Sequence, residues 1–138
     1  MRRSPLETLA SERVVDAPMI LVVDDDPDIL DALSEILEGE GYRVRRARNG
    51  REAFERLGPV PPQLILLDLM MPVMDGWEFA TRLREDPMPS SEVPIIVLSA
   101  DRNVGAKARE LGAVGHLSKP FELGELLHLL DTHLPNGS

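Results

Sequence analysis

The residue with the clearest chemical potential is Asp68, a single carboxylate that follows the unbroken apolar run at residues 64–67. Such a run is typical of a strand buried on both faces, as in a parallel sheet covered by helices. In open parallel sheets the chemistry gathers just beyond the carboxyl ends of the strands, where Asp68 would lie. An Asp at a strand end can also simply open a turn, so the other strand ends decide between the two interpretations.

Three further predicted strands end in polar side chains. The first ends in the paired carboxylates Asp24 and Asp25, the fourth in Ser99 and the fifth in Lys119. If the strands are parallel, these groups converge with Asp68 at one end of the sheet. Carboxylates placed together repel one another, and a hard divalent cation such as Mg²⁺ relieves that repulsion. A carboxylate nucleophile beside Mg²⁺, a hydroxyl and an ammonium group is suited to receiving a phosphoryl group.

Strand and helix patterns alternate along the chain and would position these groups. The predicted strands are residues 19–23, 42–47, the run that begins at Leu64, 93–98 and 114–117. The predicted helices begin at Pro27, near Ala53, at Gly76, near Val104 and at Phe121. Five such alternations indicate the α/β class, with a doubly wound parallel sheet. The second strand carries Arg43, Arg45 and Arg46, charges that suit an exposed sheet edge better than a binding patch.

The bulk composition narrows the class of protein. The 138 residues suit one domain, expected at residues 19–135, after an N-terminal extension at 1–18 that is mobile or a short docking helix and before a tail at 136–138. A net charge of −9 disfavours direct contact with nucleic acid, and the lack of cysteine excludes disulfides and thiolate chemistry. Neither a membrane-length apolar run nor a signal peptide is visible, so we expect a cytoplasmic protein without membrane contact.

Four short stretches carry a resemblance to a known family. They are Leu-Val-Val-Asp-Asp at 21–25, Leu-Asp at 67–68 with Met-Pro-Val-Met-Asp-Gly at 71–76, Leu-Ser-Ala at 98–100 and Lys-Pro-Phe at 119–121. In this order and spacing the chain resembles the receiver domains of two-component response regulators, of the chemotaxis-regulator type, from residue 19 to about residue 134. The resemblance implies a flavodoxin-like sheet of five parallel strands in the order 2-1-3-4-5, with helices on both faces.

The resemblance implies a role for each acidic residue. Asp68 would accept a phosphoryl group from a histidine kinase or a histidine phosphotransfer protein, with Mg²⁺ as the cofactor. The metal would be bound by Asp25, Asp68 and the backbone carbonyl of Met70, while Asp24 would act partly through water. The chain would then be a phosphoprotein that assists its own phosphorylation and dephosphorylation in a phosphorelay, rather than an enzyme that acts on other molecules.

The remaining strand-end residues would sense the phosphoryl group. Ser99 would bond a phosphoryl oxygen, and Lys119 would pair with Asp68 or with its phosphate. The switch position of the family, usually Tyr or Phe, is His116 here. Phosphorylation would draw Ser99 inward, let the His116 ring follow, and shift the face of the fourth helix, fifth strand and fifth helix to control a downstream protein target. The resemblance also implies a cis peptide bond between Lys119 and Pro120.

Other interpretations compete with this one. A haloacid-dehalogenase-type phosphatase needs an acid–base Asp two residues after its nucleophile, and Met70 occupies that position. A receiver-like interaction module that is not regulated by phosphorylation remains open, although the acids, Ser99 and Lys119 disfavour it. A phosphorylation-dependent dimer also remains open. The chain stops soon after the last predicted helix, so we expect either a stand-alone receiver or a fragment of a larger regulator or hybrid kinase.

Overall fold

The computed structural model describes residues 17–71, 73–85 and 92–134, and in these ranges five strands alternate with five helices. The strands are β1 (Met19–Val23), β2 (Arg43–Ala47), β3 (Leu64–Asp68), β4 (Ile95–Ser99) and β5 (Gly115–Ser118). The helices are α1 (Pro27–Gly39), α2 (Gly50–Glu55), α3 (Gly76–Glu85), α4 (Val104–Leu111) and α5 (Leu123–His133). The predicted docking helix in the extension and the tail at 136–138 lie outside the described residues.

The five strands form one parallel sheet in the order β2-β1-β3-β4-β5, which confirms the predicted topology. The central strands β1, β3 and β4 are rich in apolar residues and are buried on both faces, as the unbroken apolar runs indicated. The register pairs Val23 with Leu67 and Asp68 with Leu98, so these three strands end side by side. Groups just beyond those ends therefore meet at one end of the sheet.

Helices cover both faces of the sheet, and two apolar clusters separate according to the alternation of side chains along each strand. In β3, Ile65 and Leu67 belong to one cluster, whereas Leu64 and Leu66 belong to the other. The first cluster includes side chains of α2, α3 and α4, and the second includes those of α1 and α5. Full burial of one Leu or Ile side chain contributes roughly 1.5–3 kcal/mol. A slip of one residue would turn every side chain of a central strand toward the other cluster, so the packing of the two clusters favours one register.

The arginines of β2 stabilise an edge of the sheet. Arg43 Nε donates to the carbonyl oxygen of Ala17 at 2.9 Å, and Arg45 Nη1 donates to that of Leu57 at 2.7 Å. Arg46 forms an ion pair with an aspartate of α1. Because β2 is the outermost strand and its arginines hold neighbouring segments, the edge interpretation of this basic run is supported.

Two elements begin two residues later than predicted, whereas β2 and β5 begin one residue later. β4 begins at Ile95, two residues late, because the preceding Pro94 has no N–H to donate to a neighbouring strand. α5 begins at Leu123, also two residues late, because Glu122 is the N-cap of the helix and lies outside its first turn. The Glu125 side chain accepts the backbone N–H of Glu122 at 3.2 Å, as in a capping box. Both corrections concern element ends and leave the strand order unchanged.

Candidate functional site

Three carboxylates lie together at the carboxyl end of the sheet, and we call Asp24, Asp25 and Asp68 the acidic cluster. Asp24 and Asp25 follow β1, and Asp68 ends β3, the strand next to β1. One oxygen from each carboxylate lies within 4.8 Å of the others. Asp24 and Asp68 are buried whereas Asp25 is exposed, so the cluster opens to solvent on the side of Asp25.

Lys119, the residue after β5, lies beside the acidic cluster. Its Nζ lies 2.6 Å from Asp24 Oδ2 and 3.6 Å from Asp68 Oδ2, so its shorter contact is with Asp24. The second oxygen of each aspartate accepts a backbone N–H. Asp26 donates to Asp24 Oδ1 at 3.0 Å, and Met70 donates to Asp68 Oδ1 at 3.1 Å. Each buried carboxylate thus has the hydrogen-bonding partners that a buried charge requires.

The surroundings of the Asp68 carboxyl nevertheless disfavour its charged form. Its pKa is raised to about 6, chiefly because burial disfavours the charged form, and the charges of Asp24 and Asp25 add to this increase. The Met70 N–H and the Lys119 ammonium group oppose it. Lys119 and the backbone N–H groups thus compensate only part of the negative charge of the acidic cluster. Because the cluster opens to solvent at the end of the sheet, it is suited to binding a cation.

Ser99 lies buried at the end of β4, between the strands that carry Asp68 and Lys119. Its Oγ accepts the backbone N–H of Asp101 at 3.1 Å, and its carbonyl oxygen accepts the N–H of Lys119 at 2.8 Å. The Lys119–Pro120 peptide bond is cis, which confirms that prediction. The structure therefore places the hydroxyl and the lysine on adjacent strand ends, at the same end of the sheet as the acidic cluster.

A second lysine lies near the site and was not predicted from the sequence. Lys107, on α4, places its Nζ 2.5 Å from Asp101 Oδ2, and the Asn103 N–H donates to Asp101 Oδ1 at 2.7 Å. The hydrogen bond from Lys107 lowers the pKa of Asp101 from its ordinary value. The pair spans a turn and the start of a helix, a spacing that matches no helical or strand periodicity, so the sequence held no signal for it.

A groove of about 330 Å³ adjoins the loop after β3. It is lined by Leu69, Met70, Asp75, Trp77 and Lys107. The Met70 side chain is 68% exposed although its backbone N–H faces Asp68, so this residue contributes its backbone to the acidic cluster and its thioether to the surface.

The predicted switch residue, His116, is exposed on β5. A Cβ added to Gly105 would lie 3.3 Å from Cε1 of the His116 ring. The ring therefore rests on the first turn of α4, where a glycine leaves room for it. The contact joins the two elements that the resemblance implicates in output.

The fold and the site define the class of protein: a doubly wound, flavodoxin-like domain with acidic, hydroxyl and lysine side chains at the carboxyl ends of its strands. The sequence model of the response regulator receiver domain family matches residues 20–131, and the chain belongs to this family. Its members are phosphorylation-dependent switches of two-component systems that interact with histidine kinases or phosphotransfer proteins and with downstream effectors. Receiver domains bind Mg²⁺ at an acidic site.

Individual relatives agree with the family. Sporulation initiation phosphotransferase F of Bacillus subtilis is 33% identical over 118 residues, which cover 84% of this chain and 93% of that protein. The DNA-binding dual master transcriptional regulator RpaA of Synechocystis is 38% identical over 112 residues, which cover 80% of this chain and 46% of that protein. The structure of chemotaxis protein CheY4 of Vibrio cholerae superimposes with a TM-score of 0.77 at 32% identity, over 86% of this chain and 99% of that one. The chain spans about half the length of several curated relatives that it matches.

The expected absence of membrane contact stays a prediction. Within residues 17–71, 73–85 and 92–134, none of the helices is long and apolar enough to cross a membrane. The cytoplasmic location, the lack of nucleic-acid contact and the domain boundaries at 19 and 135 stay predictions.

Proposed function

We propose that Asp68 is the phosphoacceptor of this receiver domain and takes a phosphoryl group from a histidine kinase or a histidine phosphotransfer protein. The observation that carries this proposal is the acidic cluster itself, with carboxylate oxygens within 4.8 Å of one another and Lys119 Nζ 3.6 Å from Asp68. A carboxylate nucleophile needs cationic partners for the charge that develops on the phosphoryl oxygens, and this arrangement provides them.

The transfer forms one bond and breaks one. An Asp68 carboxylate oxygen attacks the phosphorus atom, the P–N bond to the donor's imidazole breaks, and the imidazole nitrogen keeps the electron pair. Lys119 is near enough to turn from Asp24 toward the added phosphoryl oxygens. Ser99 Oγ already accepts the Asp101 N–H, so its own hydroxyl proton is the group it can donate to a phosphoryl oxygen.

The acidic cluster fits Mg²⁺, a hard cation that takes carboxylate and carbonyl oxygens. Asp25, Asp68 and the backbone carbonyl of Met70 would hold the ion, and Asp24 would act partly through water. Bound there, Mg²⁺ supplies positive charge that neutralises the phosphoryl oxygens. Burial is the chief cause of the raised pKa of Asp68, about 6, and the charges of Asp24 and Asp25, which such an ion would offset, add to it.

The chain also assists its own dephosphorylation in this proposal, but only weakly. Water attacks the phosphorus atom, the P–O bond to Asp68 breaks, and inorganic phosphate leaves. The side chains two residues after Asp68 and two after Ser99 flank that approach, and they are Met70 and Asp101. Met70 cannot orient a water molecule, and Asp101 is engaged by an ion pair at 2.5 Å. We therefore expect slow hydrolysis.

The output that we propose is a movement of the face formed by α4, β5 and α5, where a downstream protein target binds. Ser99 would move toward the phosphoryl group and the His116 ring would follow it inward. A phosphorylation-dependent dimer would be one form of this output. RpaA is a DNA-binding protein, but this chain spans only 46% of its length. The net charge of −9 disfavours direct contact between this chain and nucleic acid.

Intact-mass analysis tests the phosphoacceptor. With Mg²⁺ and a small phosphodonor, the wild type should gain one phosphoryl group, and Asp68→Asn should gain none. Asp131→Asn, a change at an exposed aspartate of α5, is the matched control and should behave as wild type. Equal uptake by wild type and Asp68→Asn would refute the assignment. Absence of uptake in the wild type, with a cognate donor as well, would favour the interaction module that phosphorylation does not regulate.

A further inference from the structure

The short connection between β2 and α2 touches both of the segments that carry the acidic cluster. At its start, the carbonyl oxygen of Ala47 accepts the backbone N–H of Asp24 at 3.1 Å. At its end, the N–H of Gly50 donates to the carbonyl oxygen of Met74, in the loop after β3, at 2.8 Å. One turn of the chain thus holds the end of β1 and the loop after β3 in a defined relation.

Gly50 is the point where this contact is tightest. A Cβ added there would lie 2.7 Å from Met74 Cγ, 2.9 Å from Met74 Sδ and 2.9 Å from the Met74 carbonyl oxygen. Carbon atoms do not approach one another this closely without displacement. The close approach of the Met74 side chain and carbonyl oxygen therefore favours glycine here, rather than the backbone conformation of residue 50 itself.

The contact continues from Met74 to the acidic cluster within two residues. The Gly76 N–H donates to the Leu69 carbonyl oxygen at 3.1 Å, and a Cβ on Gly76 would lie 2.2 Å from the carbonyl oxygen of Asp68. The segment from Met74 to Gly76 is therefore wedged between Gly50 and the backbone of Asp68. A displacement of Met74 can therefore reach the backbone of Asp68 through this short segment.

The helices on either side cannot easily separate to make room. The rings of Phe54 on α2 and Phe79 on α3 pack edge to face, with centroids 4.8 Å apart. Phe79 is fully buried in the apolar cluster beneath them. Strain at Gly50 is therefore directed toward the loop after β3.

We propose that Gly50 is a positioning residue for the acidic cluster. By admitting Met74 to van der Waals contact, it holds Gly76 against the backbone of Asp68 and keeps the Asp68 carboxylate within reach of the cation that Asp68 and Asp25 would hold. This inference rests on the proposed function of the acidic cluster as a Mg²⁺ site. Mutation of a residue that orients metal ligands without touching the metal commonly weakens metal binding by about 10-fold or more.

The test is Mg²⁺ binding to the full chain, measured by titration calorimetry, for Gly50→Ala against wild type. Gly50→Ala should bind Mg²⁺ about 10-fold more weakly while still showing a cooperative unfolding transition without metal. Gly124→Ala is the matched control, since a Cβ there meets nothing within 4 Å, and it should bind as wild type. A purely structural role for Gly50 would lower the unfolding temperature and leave the Mg²⁺ dissociation constant unchanged.

A second variant keeps the inference testable if Gly50→Ala does not fold. The double variant Gly50→Ala with Met74→Ala removes the Cγ and Sδ contacts and leaves the contact at 2.9 Å with the Met74 carbonyl. It should fold and recover part of the Mg²⁺ affinity. Wild-type affinity in Gly50→Ala, or in the double variant when the single one is unfolded, would overturn the positioning role. Failure of the wild type itself to bind Mg²⁺ would instead overturn the proposed metal site.

Discussion

The acidic cluster and the β5 edge are the two ends of the proposed signalling route. A glycine lies beside each of them, and the two glycines differ in what an added Cβ would contact. At the cluster, a Cβ on Gly76 would lie 2.2 Å from the backbone carbonyl oxygen of Asp68, which is buried. At the edge, a Cβ on Gly105 would lie 3.3 Å from the ring of His116, which is exposed. The first neighbour is main chain in a central strand and cannot move aside, whereas the second is a side chain that can turn into solvent.

The difference matches what each region has to do. A site that stabilises developing charge must be preorganised, because reorganising dipoles and ligands during the reaction costs the energy that catalysis needs. A region that reports the reaction must have two arrangements of similar energy. Backbone contact would supply the first property at Asp68, and a side chain that is free to turn would supply the second if His116 is the switch. Four predictions test this division, beginning with the largest expected effect.

The largest effect is expected for Gly76→Ala. The added methyl group must displace the Asp68 backbone, and overpacking of this kind destabilises by roughly 3 kcal/mol or more when backbone has to move. The free energy of unfolding from urea denaturation measures the loss. Gly39→Ala, at the end of α1 where a Cβ meets nothing within 4 Å, is the control and should lose little or nothing. Equal stability of the two variants would mean that the cluster is not held by backbone contact.

The second prediction concerns the pH dependence of stability without metal. The Asp68 pKa is about 6 in the folded chain and 3.8 ordinarily, so the folded state binds the proton more tightly, and stability falls as pH rises toward and through 6. Between about pH 5 and pH 7.5 the wild type should lose roughly 1 to 1.5 kcal/mol relative to Asp68→Asn. Urea denaturation of both proteins at the two pH values measures this, and parallel pH profiles would contradict it. Saturating Mg²⁺ should reverse the loss in the wild type alone.

The third prediction concerns Met70, an exposed residue two positions after Asp68, the proposed phosphoacceptor. Met70→Asn places an amide that can orient water beside the phosphoryl group, and we expect the half-life of the phosphorylated chain to shorten several-fold, a barrier change of about 1 kcal/mol. Intact-mass decay after removal of the donor gives the rate. Met70→Leu, which keeps an apolar side chain, should decay as wild type. An unchanged rate in Met70→Asn would show that this side chain does not control access of water.

The sequence predicted those parts of the molecule that depend on local pattern. Apolar runs identify central strands, and the polar residue that ends each run identifies the site, because parallel strands bring their carboxyl ends together. It did not predict the Lys107–Asp101 ion pair or the wedge of Met74 against Gly50, since both depend on how elements approach one another in three dimensions. Such approaches leave no periodic signal, although the Asn-Gly pair at residues 49–50 marked a turn.

The smallest change in stability is expected for Gly105→Ala. Alanine in a helix is favoured over glycine by at most about 1 kcal/mol, and crowding of the His116 ring opposes that gain. The net free energy of unfolding should therefore stay close to the wild-type value, in contrast with Gly76→Ala. A loss as large as that of Gly76→Ala would show that the β5 edge is packed as rigidly as the acidic cluster, and the proposed division would be wrong.

The same variant also sharpens the proposed role of His116. The added methyl group would lie 3.3 Å from the ring, so it should displace the ring from its present place on α4. An inward imidazole would need a hydrogen-bonding partner, because burial of an unsatisfied polar group costs free energy. NMR spectra of the His116 ring decide the matter, recorded for wild type and Gly105→Ala in the free state and with Mg²⁺ and a phosphate analogue. If His116 is the switch, the analogue should change the ring signals, and Gly105→Ala, which displaces the ring from α4, should change the free-state signals. Identical ring signals with and without the analogue would show that His116 stays on the surface in both states, and the output would then have to travel through α4 and β5 without it.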